Sequence, residues 1–157
     1  MPGTAAWHWG LALSSAVRAV VSRVSEAAVL VDDQVVGELN QPGLLVLLGV
    51  THDDGSAQAE TMARKLHEIR VLRDERSVAD TGAGVLIVSQ FTLYGSTRKG
   101  RRPSFTSAAH PEHAEPLINE VVARLRARGV TVATGRFGAT MAVHSVADGP
   151  FTILLEV

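Results

Sequence analysis

Cysteine is absent from the 157 residues. That excludes disulfide staples, Cys-ligated zinc, iron–sulfur clusters and a thiol nucleophile, and it fits a cytoplasmic location. No stretch approaches the roughly 18 apolar residues that a membrane helix needs. No Lys or Arg precedes Arg18, so residues 1–16 lack the positive start of a secretory signal, despite a short apolar run. An excess of charge is missing too: 15 basic and 16 acidic residues leave a formal net charge of −1. Spread evenly, that balance would argue against a nucleic-acid partner.

Several catalytic signatures are also absent. Gly95-Ser-Thr-Arg-Lys-Gly100 imitates the front of a phosphate-binding loop, but Arg101-Arg102 stand where Lys and Ser or Thr are required. There is no G-x-S-x-G elbow, no H-E-x-x-H pair and no dinucleotide fingerprint. His110 and His113 are three residues apart near a helix start, without an obvious third ligand, so they read as a solvated helix terminus. No metal or cofactor is expected.

What is present is a compact α/β pattern. At 46% hydrophobic and 20% charged, the chain is long enough for one real core. Valine-rich 17–24 reads as a strand, and 27–31 with 35–39 as a hairpin around Asp32-Asp33-Gln34. The runs 44–50 and 85–88 are apolar throughout, as strands buried on both faces are. Met62, Leu66 and Ile69 predict a helix over 56–72. Leu117, Val121 and Leu125 predict a second, entered at Pro111 and ended by Gly129. Segments 130–133, 141–146 and 151–157 complete the strands, and 74–84 reads as a loop. Residues 1–16, which hold both tryptophans, are expected to be a flexible extension of a domain over 17–157.

The charge is not spread evenly. Residues 1–80 hold 7 basic and 11 acidic side chains; residues 81–157 hold 8 and 5. Arg98, Lys99, Arg101 and Arg102 crowd into five positions. Such a loop is either a solvated surface or a phosphate contact. Two further segments invite chemistry. Ser89-Gln90-Phe91-Thr92 lies where a buried strand meets a loop, and supplies hydroxyls, an amide and backbone N–H groups that could orient a carbonyl. Taken alone, it is equally an ordinary polar strand end. Asp148-Gly149-Pro150 is either a simple turn or a place where backbone carbonyls are presented as acceptors.

Together these segments resemble the D-aminoacyl-tRNA deacylases, over residues 17–157. The resemblance rests on Arg18-Ala-Val-Val-Ser-Arg-Val24, Gly43-Leu-Leu-Val-Leu-Leu-Gly-Val50, Val88-Ser-Gln-Phe-Thr-Leu-Tyr94, Arg101-Arg-Pro-Ser-Phe105, Thr134-Gly-Arg-Phe-Gly138 and Asp148-Gly-Pro150. It implies a three-layer α/β/β domain with mixed, barrel-like sheets and two main helices. It also implies a homodimer with its active sites at the subunit interface. The substrate would be D-aminoacyl-tRNA, with glycyl-tRNA as an additional candidate, and the ester would be hydrolysed.

By the same resemblance, Ser89, Gln90, Phe91 and Thr92 line the catalytic pocket. Gly149 and Pro150, joined by a cis bond, enter the partner's site and reject L side chains. Arg23 braces them, and the tRNA's own 2′-hydroxyl assists. With no base beside Thr92, its hydroxyl is a poor nucleophile, which favours water attack with oxyanion stabilisation by backbone N–H groups near Phe91 and Thr92. Arg98, Lys99, Arg101 and Arg102 are the expected tRNA contacts. Family members usually carry Gln at position 22, Asn at 147 and Val at 151, where this chain has Ser22, Ala147 and Phe151; its loop at 74–77 is also shorter. A nonenzymatic RNA-binding module remains open as the alternative at this point, as does a metal hydrolase built on the histidines.

Overall fold

The computed structural model describes residues 16–157. The expected extension therefore lies outside the described residues, except for Ala16, which is buried. The elements follow in the order β1 (Arg18–Val31), β2 (Gln34–Leu39), β3 (Gly43–Gly49), α1 (Ser56–Glu68), α2 (Val78–Thr81), β4 (Gly84–Ser89), α3 (Pro111–Ala127), β5 (Val132–Thr134) and β6 (Ala142–Glu156).

β1 organises the sheet. One of its edges pairs with β3 through its first half and with β2 through its second; β6 runs antiparallel along the other edge. β3, β4 and β5 continue in parallel. The sheet curls until β2 meets β5, and Gly37 makes this possible: a Cβ there would collide with the carbonyl oxygen of Thr134. The result is a mixed, nearly closed, barrel-like sheet with helices on one side.

The alternation of β3 and β4 makes the layers. Leu44, Val46 and Leu48, with Val85 and Ile87, face α1 and α3, where Met62, Leu66, Val121 and Leu125 complete the larger core. Leu45, Leu86 and Val88 face the barrel interior, against Val24, Val29 and Leu39. A strand covered on both faces must be apolar at every position, which is why these two segments read as continuous hydrophobic runs.

Three sequence expectations change. The first two strands merge into one β1 of 14 residues. The last two merge into one β6 of 15 residues, running straight through Asp148-Gly149-Pro150. In both, register shifts between β1 and β6 near Ser22, Val24 and Glu26 absorb the polar interruptions that suggested a break. The first long helix ends at Glu68, and the expected loop after it holds a tight turn and the short α2, capped by Ser77 accepting from the Asp80 N–H at 3.0 Å.

Candidate active site

β4 ends at Ser89, and the chain drops at once into a 3₁₀ turn over Phe91–Tyr94. The Gln90 N–H donates to the Leu48 carbonyl at 2.8 Å, tying the turn to β3. Gly49 gives it room, because a Cβ there would sit 2.9 Å from the Gln90 carbonyl oxygen. Arg18 braces the far end: Nη1 donates to the Leu93 carbonyl at 3.2 Å, and the guanidinium lies 4.5 Å from the Tyr94 ring centre. Tyr94 is buried, and desolvation pushes its phenol well above its ordinary pKa, so it stays neutral. A 3₁₀ turn leaves the N–H groups of its first residues, here Phe91 and Thr92, without partners inside the turn. The Gln90 side-chain amide donates to the Thr92 hydroxyl.

Beside this turn lies a cleft of about 590 Å³, in the range of small-ligand sites. Ser89, Gln90 and Phe91 line it together with Phe105, His110 and Phe137. Phe91 is 58% exposed and Phe105 40%; their rings meet edge to face at 5.4 Å. Two exposed aromatics held at the mouth of an apolar cleft make a stacking surface for a planar group.

The basic loop rises from the same rim. Ser96 and Ser104 close it with paired backbone hydrogen bonds of 2.7 and 2.9 Å. Arg98, Lys99, Arg101 and Arg102 lie exposed beyond that closure, and none pairs with a described carboxylate.

Gly149 and Pro150 lie elsewhere. They sit in a bulge of β6 beside Arg23 of β1, and no residue from 148 to 151 lines the cleft. The two arginines that hold these regions, Arg18 and Arg23, stand five residues apart on β1, about 17 Å at about 3.3 Å per residue. Arg23 Nε donates to the Asp148 carbonyl at 2.8 Å, and its guanidinium lies 5.0 Å from the Phe151 ring centre. Gly149 has φ +117°, and a Cβ there would collide with Arg23 Nη2. Arg73 binds the Asp148 carboxylate through Nη2 at 2.6 Å and Nε at 3.3 Å, which holds that carboxyl below its ordinary range.

The implied cis bond is corrected here. The described residues contain no cis peptide bond, so Gly149–Pro150 is trans. β6 stays paired on both sides of the segment, Thr152 with Ser22 and Ala147 with Val24. Gly149 takes up the intervening bulge by entering a positive-φ region that glycine adopts freely, and trans is also the isomer favoured by about 0.5–1 kcal/mol for an X–Pro bond. The positions that depart from the family pattern gather at this place. The Ser22 hydroxyl bonds the Thr152 hydroxyl at 2.9 Å, and Phe151 lies under Arg23.

The histidines do not converge. His113 Nε2 bonds the Asp54 carbonyl oxygen at 2.7 Å, while His110 tilts against His52 at 5.7 Å. Among the described residues no group of three or more His, Cys, Asp or Glu is placed to hold a metal. His110 does line the cleft, beside Ser89, Gln90 and Phe91. Phe105 and Phe137 were visible in two of the motif segments but carried no role; only the fold brings them to Phe91.

Residues 20–156 match the family described as D-Tyr-tRNA(Tyr) deacylase. A D-aminoacyl-tRNA deacylase of Kineococcus radiotolerans is 60% identical over 140 residues, covering 89% of this chain and 99% of that protein. One from Thermobifida fusca is 58% identical over 141 residues, covering 90% and 100%. Among solved structures, the c-Myc DNA Unwinding Element Binding Protein superimposes with a TM-score of 0.82 at 38% identity, covering 89% of this chain and 98% of that one. A probable eukaryotic D-amino acid tRNA deacylase has the same TM-score at 18% identity, which bears on the fold. With most of its length matched and its strand-end cleft intact, the chain belongs to the D-aminoacyl-tRNA deacylase family, enzymes that hydrolyse aminoacyl-tRNA esters.

Proposed function

We propose that this chain hydrolyses D-aminoacyl-tRNA as a homodimer, with the cleft of one copy and the Gly149–Pro150 segment of the other forming each site. The observation that carries this is the cleft at the end of β4, where exposed Phe91 and Phe105 adjoin the basic loop. The aromatic surface suits the terminal adenosine. Arg98, Lys99, Arg101 and Arg102 suit the phosphates behind it. The ester carbonyl then falls near the N–H groups of Phe91 and Thr92, which would stabilise the developing oxyanion while water attacks. The terminal 2′-hydroxyl of the tRNA would assist, since the Thr92 hydroxyl already accepts from Gln90. This chemistry requires no cofactor, and we place it in the cytoplasm.

Stereochemical choice needs a second element, and within one chain Gly149 and Pro150 are too distant to supply it. β6 offers a route. It has one free edge, and Val143, Val146, Phe151 and Leu154 are exposed along it, Leu154 by 74%. A long apolar edge strand invites pairing. β6 also runs from the cleft, which Val143 and Met141 line, to the Gly149 bulge. A two-fold related copy seated on this face would bring its Gly149–Pro150 backbone toward the cleft. Backbone carbonyls there would accept from the substrate ammonium and leave no room for an L side chain; glycine, with no side chain, would pass.

Subunit mixing tests this. Ser89→Asp spoils the cleft, and Gly149→Ala spoils the selecting segment. Each homodimer should be impaired. Mixed dimers should regain D-selective hydrolysis at one site in two, because an intact cleft then meets an intact segment across the interface. Absence of rescue would place both elements within one chain.

A further inference from the structure

We propose that Arg73 is a positioning residue for chiral selection, fixing the Gly149–Pro150 segment through the Asp148 carboxylate, which Arg23 Nε also approaches at 3.6 Å. This rests on the reading above that the segment selects. Asp148, immediately before Gly149, is gripped twice. Its carbonyl accepts from Arg23, which reaches across from β1. Its carboxylate accepts two bonds from Arg73, in the forked geometry that fixes direction as well as distance. Main chain and side chain of one residue are thus held by guanidinium groups from two separate elements. Pro150 has a ring-restricted φ, so the backbone at Gly149 has little freedom left.

The turn that delivers Arg73 supports the assignment. Arg73 to Glu75 form a tight turn between Leu72 and Arg76, which pair as an isolated antiparallel bridge with the Leu72 N–H donating to the Arg76 carbonyl at 2.9 Å. Asp74 and Glu75 both adopt left-handed backbone, with φ of 62° and 56°. Two successive non-glycine residues in that region are uncommon and unfavourable. The β1–β2 turn at Asp32-Asp33 has the same backbone, with φ of 50° and 63°, so the conformation marks a tight turn and it is the contact with Asp148 that sets this one apart. Here the turn sets the bidentate pair on Asp148. Arg76, in the same turn, instead donates to the Asp80 carbonyl at 3.0 Å and does not touch the segment.

The test compares kcat/KM for D- and L-tyrosyl-tRNA in the full-length dimer. Arg73→Gln should lower the D/L ratio about threefold to fivefold, the range an exposed ion pair can bias. The change should come from faster L hydrolysis, with thermal stability unchanged. Arg73→Lys should recover part of the ratio, and Arg76→Gln should leave it at the wild-type value. Asp148→Asn and the double variant Arg73→Gln/Asp148→Asn should have equal ratios, because the two residues act as one unit. An unchanged ratio in Arg73→Gln, or an equal fall in Arg76→Gln, overturns the assignment. Gly149→Ala, run in parallel, separates the two levels. If it alters the ratio and Arg73→Gln does not, only the role of Arg73 fails; if neither does, selection by this segment fails with it.

Discussion

Two arginines on β1, five residues apart, do the same physical work for two different regions. Arg18 donates to the Leu93 carbonyl and lies on the Tyr94 ring; Arg23 donates to the Asp148 carbonyl and lies on the Phe151 ring. Each pins an irregular backbone segment by one charged hydrogen bond and one ring contact. The segments differ in their setting. The 3₁₀ turn after β4 is anchored to β3, over the larger core, and borders a formed cleft. The Gly149 bulge lies on an edge strand with exposed apolar neighbours, and residues 148–151 do not line that cleft. In the proposed dimer, the first region supplies the cleft and the second the segment presented to the partner's cleft. Rate and stereochemical choice should therefore be separable by substitution.

The largest effect should come from Gly149→Ala. The new methyl collides with Arg23, and alanine resists φ near +117°. Strain of about 1–3 kcal/mol corresponds to a roughly tenfold or greater loss in D-substrate kcat/KM, accompanied by a fall in the D/L ratio. Measuring both substrates checks this; an unchanged ratio would break the contrast between the regions.

The paired variants Arg18→Met and Arg23→Met sharpen it next. Each removes a charged hydrogen bond, so an effect of roughly tenfold is expected on its own observable. Arg18→Met should slow D hydrolysis at constant D/L ratio, while Arg23→Met should lower the ratio. Thr92→Ala should be milder, within about tenfold of wild type in single-turnover assays, because in the proposed mechanism the hydroxyl accepts from Gln90 and does not attack the ester. A trapped acyl-Thr92 would refute that. The smallest effect at moderate salt should follow Arg101→Ala combined with Arg102→Ala. The D/L ratio stays fixed, while the slope of log affinity against log salt falls by about 0.7–0.9 for each lost phosphate contact.

Legibility in the sequence followed local physics. β3 and β4 were readable because burial on both faces forces unbroken apolar runs, and α3 because Leu117, Val121 and Leu125 share one face. The continuity of β1 and β6 was not, since bulges at Ser22–Glu26 and at Gly149 carry polar residues that mimic strand ends. Ser89–Thr92 was recognisable as a segment. Its companions come from two other places, Phe105 and His110 from the loop before α3 and Phe137 from the segment after β5, and no local pattern joins them. The turn at Asp74-Glu75 was hidden for another reason: aspartate tolerates left-handed backbone, but glutamate gives no signal for it, and no glycine or asparagine stands beside them.

The central claim is that this chain releases D-amino acids from tRNA and spares L-amino acids. Single-turnover hydrolysis of D-tyrosyl-tRNA and L-tyrosyl-tRNA by the wild-type protein, under identical salt and pH, tests it most directly. Rapid release from the D ester is expected, with loss of the L ester at its uncatalysed rate. Equal rates for the two esters, or no acceleration of either, would contradict it.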